Sequence, residues 1–214
     1  MDAVILAWHA DPSLNYRLLD IGAGCGIISL ILARRFSGIK VYGVEIQQSM
    51  ACLANLNVLK NKMTDRIEVI CRDLKILCPE DTGGTLDMVI TNPPFGKAGC
   101  TRVGPDRSKN AATHEIYATL ADVLACSKRM LKVFGTLIII YPAQRLPELF
   151  YELRAAQLEP KWLRMVHPFV TQNANRVIVK AVKRGSQGLT IGSPLYVHQA
   201  DRSYTPEIER MFRL

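Results

Sequence analysis

The sequence has no long apolar run and no basic leader, and each absence removes a class of protein. Uninterrupted apolar stretches such as Leu137 to Tyr141 are far shorter than the roughly 20 residues of a transmembrane helix. The amino terminus, Met1 to Trp8, contains no positively charged region of the kind that opens a signal peptide. We therefore expect a cytoplasmic protein without a membrane anchor.

Paired cysteine motifs are also missing. No two of the six cysteines form a C-x-x-C pair, so their spacing does not match that of a zinc site. Several lie within apolar runs, as Cys71 does after Val69 and Ile70. We expect no metal centre, and reduced, mostly buried thiols of a cytosolic protein, at Cys25, Cys52, Cys71, Cys78, Cys100 and Cys126.

Acidic residues are in the minority, with 19 Asp and Glu against 27 Lys and Arg, which gives a formal charge of +8. An excess of cations favours a polyanionic partner such as nucleic acid, although a generally basic surface would produce the same count. The chain of 214 residues is 49% hydrophobic, which is enough for one sizeable core. No repeat or low-complexity linker divides it, so we predict a single domain over residues 1–214.

Apolar runs of strand length alternate with segments of helical periodicity, which predicts an α/β fold. We expect a Rossmann-like, mostly parallel, seven-stranded sheet with helices on both faces and an antiparallel pair at one edge. Its first five strands should have the order 3-2-1-4-5. The predicted strands are 17–21, 39–44, 66–71, 86–91, 135–141, 161–167 and 177–182, with a short strand at 195–198. The predicted helices are 2–10, 27–36, 47–60, 113–131, 146–156 and a terminal helix after Pro206.

A glycine-rich turn joins the first strand to the helix that follows, through Asp20, Gly22, Gly24 and Gly26. Glycines allow a tight turn and a close approach of a ligand to the main chain. A dinucleotide fingerprint has two residues before its last glycine, whereas here Cys25 alone separates Gly24 from Gly26. The pattern therefore suits S-adenosylmethionine better than NAD.

Three acidic residues near this turn are candidates for binding the methyl donor. Glu45, at the end of the second strand, can accept hydrogen bonds from both ribose hydroxyls, or it can serve as a charge at the next helix start. Asp73 can accept from the adenine amino group, with Leu74 supplying an N–H and apolar cover, or it can be a solvated turn acid. Asp20 can position water or the donor's amino group, cap the glycine turn, or do both.

The fourth predicted strand stops at Asn92-Pro93-Pro94-Phe95, because neither proline can extend a ladder of hydrogen bonds. In the expected strand order this motif emerges beside the glycine turn. Asn92 Oδ1 and the Pro93 carbonyl can each accept one N–H of a planar amine, and Phe95 can stack on its ring. This arrangement predicts methylation of an amino nitrogen; the alternative is a turn that only ends a strand.

The chain resembles class I S-adenosylmethionine-dependent methyltransferases of the methyltransferase small domain type. More narrowly, it is similar to bacterial tRNA (adenine-N6) methyltransferases that modify the anticodon loop of a valine tRNA. The likeness covers nearly the whole chain, and the glycine turn with the Asn92 motif is its most specific part. The residues that carry it are 2–7, 20–26, Glu45, Asp73, 92–95, Arg107, His114, Glu115, Pro194, Leu195 and 204–207.

The resemblance implies methyl transfer from S-adenosylmethionine to the N6 atom of an adenine in tRNA, with S-adenosylhomocysteine as the product. A guanine-N2 rRNA methyltransferase or a glutamine-N5 protein methyltransferase could use the same acceptor motif, since each substrate offers a planar NH2. A nicotinamide-dependent oxidoreductase or a nucleotide-binding module is the alternative of a different class. The sequence does not indicate an oligomeric state.

Relatives of this type carry a leader ahead of the first helix, and this chain begins at Met1, directly before it. We therefore expect weaker donor binding than in a longer form.

The loop after the acceptor motif is rich in cations that could hold phosphates around a flipped base or could simply be solvated. These cations are Lys97, Arg102, Arg107 and Lys109.

Overall fold

Nine strands form a single sheet within residues 1–93 and 118–213, the part of the chain that the computed structural model describes. The strands are β1 (Arg17–Ile21), β2 (Lys40–Glu45), β3 (Ile67–Cys71), β4 (Leu86–Thr91), β5 (Leu131–Pro142), β6 (Leu158–His167), β7 (Arg176–Lys183), β8 (Thr190–Ile191) and β9 (Leu195–Tyr196). The helices are α1 (Asp2–Trp8), α2 (Ile27–Arg35), α3 (Gln48–Lys60), α4 (Leu120–Met130), α5 (Leu146–Ala155) and α6 (Pro206–Phe212).

The order of the strands is β3-β2-β1-β4-β5-β7-β6-β8, and β9 also pairs with β6. The predicted order 3-2-1-4-5 is confirmed, and these five strands are parallel. β7 lies antiparallel between β5 and β6, which gives the antiparallel edge that the sequence predicts. The described sheet has nine strands rather than the predicted seven. The short strand predicted at 195–198 joins it as β9, and β8, which was not predicted, also pairs with β6.

Helices cover both faces of the sheet, and alternate residues of each central strand enter the two apolar layers. In β4, Ile90 packs into the layer beneath α1, α2 and α6, whereas Val89 packs into the layer beneath α4 and α5. Both side chains are fully buried, and each contributes about 1.5–3 kcal/mol relative to exposure. This double burial keeps β1 and β4 fixed at the centre of the sheet, where their carboxyl ends position the site.

Two predictions about local structure are corrected. β5 begins at Leu131 rather than Gly135, directly after α4. The interpretation of the cysteines as mostly buried is wrong, because among the five described ones only Cys126 is buried. Cys71 is exposed because it ends β3, the outermost strand, and Cys52 is exposed on α3. Cys100 lies outside the described residues.

The helices vary in length, and none within residues 1–93 and 118–213 has both the extent and the apolar character that a crossing of the bilayer requires. The helix predicted over residues 113–131 is described only from Leu120, where Thr119 caps it by accepting the Asp122 N–H.

Candidate active site

The glycine turn and the acceptor motif leave the sheet side by side. β1 and β4 pair in parallel with Ile21 opposite Thr91, and the Thr91 hydroxyl donates to the Ile21 carbonyl at 3.1 Å. The next residues along the two strands, Gly22 and Asn92, therefore emerge together at the carboxyl edge of the sheet. A cavity of about 360 Å³ opens at this point and both motifs line it.

The three glycines of the turn all adopt left-handed backbone conformations, with φ of 72° at Gly22, 54° at Gly24 and 83° at Gly26. A Cβ at Gly22 would meet open space, and one at Gly24 would meet only the Met50 methyl group at 3.9 Å. A Cβ at Gly26 would lie 3.3 Å from the Ala54 Cβ on α3. Gly22 and Gly24 thus leave room for a ligand in the cavity, whereas Gly26 allows α3 to pack closely.

Glu45 ties the glycine turn to the start of α3. Its side chain accepts the Gly24 N–H and the Gln47 N–H, each at 2.9 Å, from a position that is only 6% exposed. The contact at Gln47 fits the alternative interpretation of Glu45 as a charge at the helix start. Each carboxylate oxygen keeps a second lone pair, and Glu45 lines the cavity, so acceptor capacity for a ribose remains.

Asp20 lies behind the glycine turn. It is fully buried, and its Oδ2 accepts the Ser29 hydroxyl at 2.7 Å and the Ser29 N–H at 3.2 Å, in the first turn of α2. Burial raises the pKa of the Asp20 carboxyl to about 6. Its Oδ1 has no partner among the described residues. These contacts match the capping alternative, and the role of Asp20 towards the donor's amino group stays a prediction.

Asp73 and Leu74 both line the cavity at the end of β3. The Asp73 carboxylate accepts the Lys75 N–H at 2.9 Å, as in a local turn. Leu74 is half-buried and packs on the apolar layer beneath α4. Because β2 lies between β1 and β3, the two residues are on the opposite side of Glu45 from the glycine turn, and their role towards the adenine stays a prediction.

Arg129, which no pattern in the sequence singles out, holds this part of the wall in place. Arg129 lies in the last turn of α4 and donates to the carbonyls of Leu74 at 2.7 Å, Lys75 at 3.2 Å and Leu77 at 2.6 Å. Its partners lie more than fifty residues earlier in the chain, so no spacing in the sequence marks the contact. Further lining residues that were missed are Ile46, Gln47, Met50, Arg72, Ala118 and Val123.

Asn92 and Pro93 form the wall of the cavity next to the glycine turn. Asn92 Oδ1 is buried, and among the described residues nothing donates to it. A buried acceptor without a donor costs about 1–3 kcal/mol, and within residues 1–93 and 118–213 no donor offsets this cost at Asn92. Phe95 and the cations Lys97, Arg102, Arg107 and Lys109 lie outside the described residues, as do His114 and Glu115.

The residues present fit S-adenosylmethionine. One cavity contains the open backbone at Gly22 and Gly24, the Glu45 carboxylate with spare acceptor capacity, and an apolar wall beside Asp73. The Asn92 side chain, whose Oδ1 has no donor in the described part of the chain, lines it too. Within the described ranges, no three His, Cys, Asp or Glu side chains cluster in a way that could hold a metal ion. The arrangement suits binding of a nucleoside-containing cofactor beside a substrate amine.

Comparison with known families gives a match over most of the chain. Residues 3–153 match the model of the methyltransferase small domain family. A tRNA1(Val) (adenine(37)-N6)-methyltransferase of Porphyromonas gingivalis is 31% identical over 98% of this chain and 85% of its own length. The protein of the same name from Shewanella woodyi is 28% identical over 97% of this chain and 87% of its own length.

Solved structures show the same fold. A protein of Agrobacterium tumefaciens, described as a predicted O-methyltransferase, superposes with a TM-score of 0.78, at 24% identity over 99% of this chain and 95% of its own. A geranyl diphosphate C-methyltransferase of Streptomyces coelicolor, solved with S-adenosylhomocysteine, has a TM-score of 0.62 at 15% identity over 85% of this chain and 79% of its own. Since these two proteins are described as methylating oxygen and carbon, the shared fold does not determine which kind of atom receives the methyl group.

Proposed function

The chain belongs to the methyltransferase small domain family, and from that premise we propose that this S-adenosylmethionine-dependent methyltransferase modifies the N6 atom of an adenine in tRNA. The observation that carries the proposal is the buried Asn92 Oδ1, which accepts from no described residue and belongs to the same cavity as the glycine turn. An enzyme that methylates oxygen would need a base or a metal at this position, whereas an amino nitrogen needs an acceptor.

The chain's own residues would hold the donor as follows. S-adenosylmethionine supplies an electrophilic methyl group on its sulfonium when bound. Gly22 and Gly24 allow its chain to approach the backbone, Glu45 accepts from the ribose hydroxyls, and Asp73 with Leu74 accommodates the adenine. Asp20 supports the glycine turn through α2.

On the acceptor side, Asn92 and Pro93 would orient the exocyclic amine. The lone pair of such an amine is delocalised into its ring, which makes it a poor nucleophile. If Asn92 Oδ1 and the Pro93 carbonyl each accept one N–H, the nitrogen becomes pyramidal and its lone pair points towards the methyl group. These hydrogen bonds strengthen as positive charge develops on the nitrogen, so they stabilise the transition state preferentially.

No dedicated general base is required for this step. The nitrogen becomes acidic once it carries the new methyl group, and it loses its proton to water. Phe95, which we propose stacks on the base, would fix the plane of the ring.

The choice of tRNA as substrate depends on the relatives and on charge. The relatives named as tRNA methyltransferases match nearly the whole of this chain, and the net charge of +8 favours a polyanion. A guanine in rRNA or a glutamine in a protein presents the same NH2 group and remains the alternative substrate. The nicotinamide-dependent oxidoreductase and the non-catalytic nucleotide-binding module are both excluded by the family.

We also propose that residues 1–214 form one domain and that the enzyme works in the cytoplasm.

The test is transfer of tritiated methyl groups to unmodified tRNA, to rRNA fragments and to a release-factor protein, followed by nucleoside and amino-acid analysis. We expect label in tRNA, recovered as N6-methyladenosine. Label recovered as N2-methylguanosine or in the protein would replace the proposed substrate. The absence of label from all three substrates would contradict the proposed function.

A further inference from the structure

A row of four stacked rings lies at the edge of the sheet, in the part of the chain that follows β6. Phe169 stacks on His198, His198 on Tyr204, and Tyr204 on Phe212. The ring centroids are 5.2, 5.2 and 5.5 Å apart, and the interplanar angles lie between 22° and 29°. We call these four residues the aromatic stack. It gathers side chains from the β6–β7 connection, from the segment after β9 and from α6.

The aromatic stack lies at the same edge of the sheet as Asn92. β6 is parallel to β5 because β7 runs antiparallel to both, so His167 at the end of β6 lies at the carboxyl edge. β9 runs parallel to β6, and the chain continues past that edge, with the His198 N–H donating to the Pro168 carbonyl. The chain then returns to form a bridge between His198 and Tyr204.

The distance from the acceptor motif is short enough for one RNA segment to reach both places. β9 is four strand positions from β4, across β5, β7 and β6, and strands are spaced 4.7–4.9 Å apart, which gives about 19 Å. Proteins that bind single strands cover several nucleotides in one groove and stack bases on successive aromatic rings. The aromatic stack therefore lies within reach of nucleotides that flank the target.

The rings at the Phe212 end of the stack are open to solvent. Tyr204 is 38% exposed and Phe212 is 46% exposed. Tyr204 covers one face of Phe212, and in this row of four no other ring covers its second face. An exposed, flat, apolar face of this kind is suited to stacking with a nucleobase, because every base has a π-face.

Cations accompany the exposed rings. Arg202 and Arg210 are both exposed, and neither forms an ion pair with a described residue. The neighbouring acids are engaged, since Glu207 pairs with Arg164 at 2.6 Å and Asp201 accepts from Ser203. Arginines near an aromatic face can contact the phosphates that connect stacked bases.

From the placement, exposure and charge of this surface, we propose that the aromatic stack, with Arg202 and Arg210, binds unpaired nucleotides of the RNA substrate that flank the methylated adenine. This inference rests on the proposed function and adds to it a second contact with the RNA, beyond β9, whose strand position is about 19 Å from that of β4. It also gives a role to the segment Tyr204 to Glu207, which the sequence resemblance singles out and the catalytic site does not use.

The test compares RNA binding by Tyr204→Leu and Phe212→Leu with binding by Phe134→Leu as a matched control. Phe134 is 70% exposed but lies near the start of β5, at the opposite edge of the sheet. The probe is a fluorescein-labelled single-stranded RNA of about ten nucleotides, followed by anisotropy. We expect Phe212→Leu to bind at least about fivefold more weakly, as the loss of one stacked base predicts. Tyr204→Leu, which removes the ring that supports Phe212, should also bind more weakly, and the control should bind like the wild type.

Two further readouts separate binding from folding. S-adenosylhomocysteine should bind all three variants equally. With tRNA as substrate, the KM of the two stack variants should rise while their kcat stays constant. Arg202→Ala and Arg210→Ala change only exposed side chains, and each should reduce the salt dependence of binding by about 0.7 in slope. If the leucine variants fold poorly, the arginine variants decide the question alone.

The outcomes distinguish failure of this inference from failure of the proposed function. If the wild type methylates tRNA, but the stack and arginine variants bind RNA like the wild type, the aromatic stack only fastens α6 and the inference is overturned. If the wild type methylates only protein, the proposed function fails and the inference fails with it.

Discussion

Replacement of Asp20 by asparagine tests whether Asp20 is a buried structural acid or a residue that binds the methyl donor. The Asp20 pKa is about 6 in the folded chain against 3.8 as its ordinary value, so the folded state disfavours the charged form. Above pH 6 the folded protein carries the full penalty, which is about 3 kcal/mol for this difference in pKa. As the pH falls through 6 towards 3.8, the penalty is lost, and at pH 5 about half of it remains.

The asparagine side chain of the Asp20→Asn variant would be neutral at every pH and would keep an oxygen that can accept from Ser29. The variant should therefore unfold with a larger free energy than the wild type at pH 7.5, by up to about 3 kcal/mol. The advantage should shrink by about half between pH 7.5 and pH 5. Urea denaturation at both pH values measures it.

His9 titrates in the same range and does not disturb the comparison. Burial lowers the pKa of His9 from 6.5 to about 4, so its contribution to stability is complete above pH 6.5 and is lost as the pH falls towards 4. That loss is the same in both proteins and cancels in their difference. A variant that is less stable at pH 7.5, or a difference that does not change with pH, would refute the reasoning. Unchanged affinity for S-adenosylhomocysteine would support a capping role for Asp20, and a loss of more than about tenfold would support a contact with the donor.

Three further substitutions test the donor side of the cavity, with affinity for S-adenosylhomocysteine measured by calorimetry and stability by thermal unfolding. Gly24→Ala places a Cβ in the ligand's space at a φ of 54°. It should weaken binding about tenfold or more, at a stability cost of about 1–2 kcal/mol. Binding equal to that of the wild type would contradict the proposal that Gly24 leaves room for the ligand. Gly26→Ala, whose Cβ meets Ala54 at 3.3 Å, should mainly lower stability, and a purely ligand-binding defect would count against its packing role. Arg129→Ala leaves the carbonyls of Leu74 and Leu77 without their donor. It should weaken binding more than Lys128→Ala, a control from the same helix. Equal effects of the two variants would show that the Arg129 hydrogen bonds do not position the cavity wall at Leu74.

The fold could be predicted from the sequence because its strands are short apolar runs bounded by turn residues. The predicted bounds of β1 and β4 agree with the observed ones at both ends. The glycine turn ends β1, and Asn92 with Pro93 ends β4, so each boundary has a chemical cause. The meeting of the two motifs then follows from the parallel order of the sheet.

Other features depend on contacts that no local pattern contains. Arg129 reaches carbonyls more than fifty residues away, and only the packing of α4 brings them together. The exposure of Cys71 depends on β3 being the outermost strand, which an apolar run cannot reveal. The raised pKa of Asp20 likewise comes from its complete burial behind the turn.

The Asn92→Ala variant tests whether Asn92 holds the amino group of the substrate. The measurement is the single-turnover rate of methyl transfer to unmodified tRNA, made beside calorimetry with S-adenosylhomocysteine. Loss of one transition-state hydrogen bond predicts a rate lower by a factor of about 100 or more, with the affinity for S-adenosylhomocysteine nearly unchanged. A variant that transfers methyl groups at the wild-type rate would contradict the account.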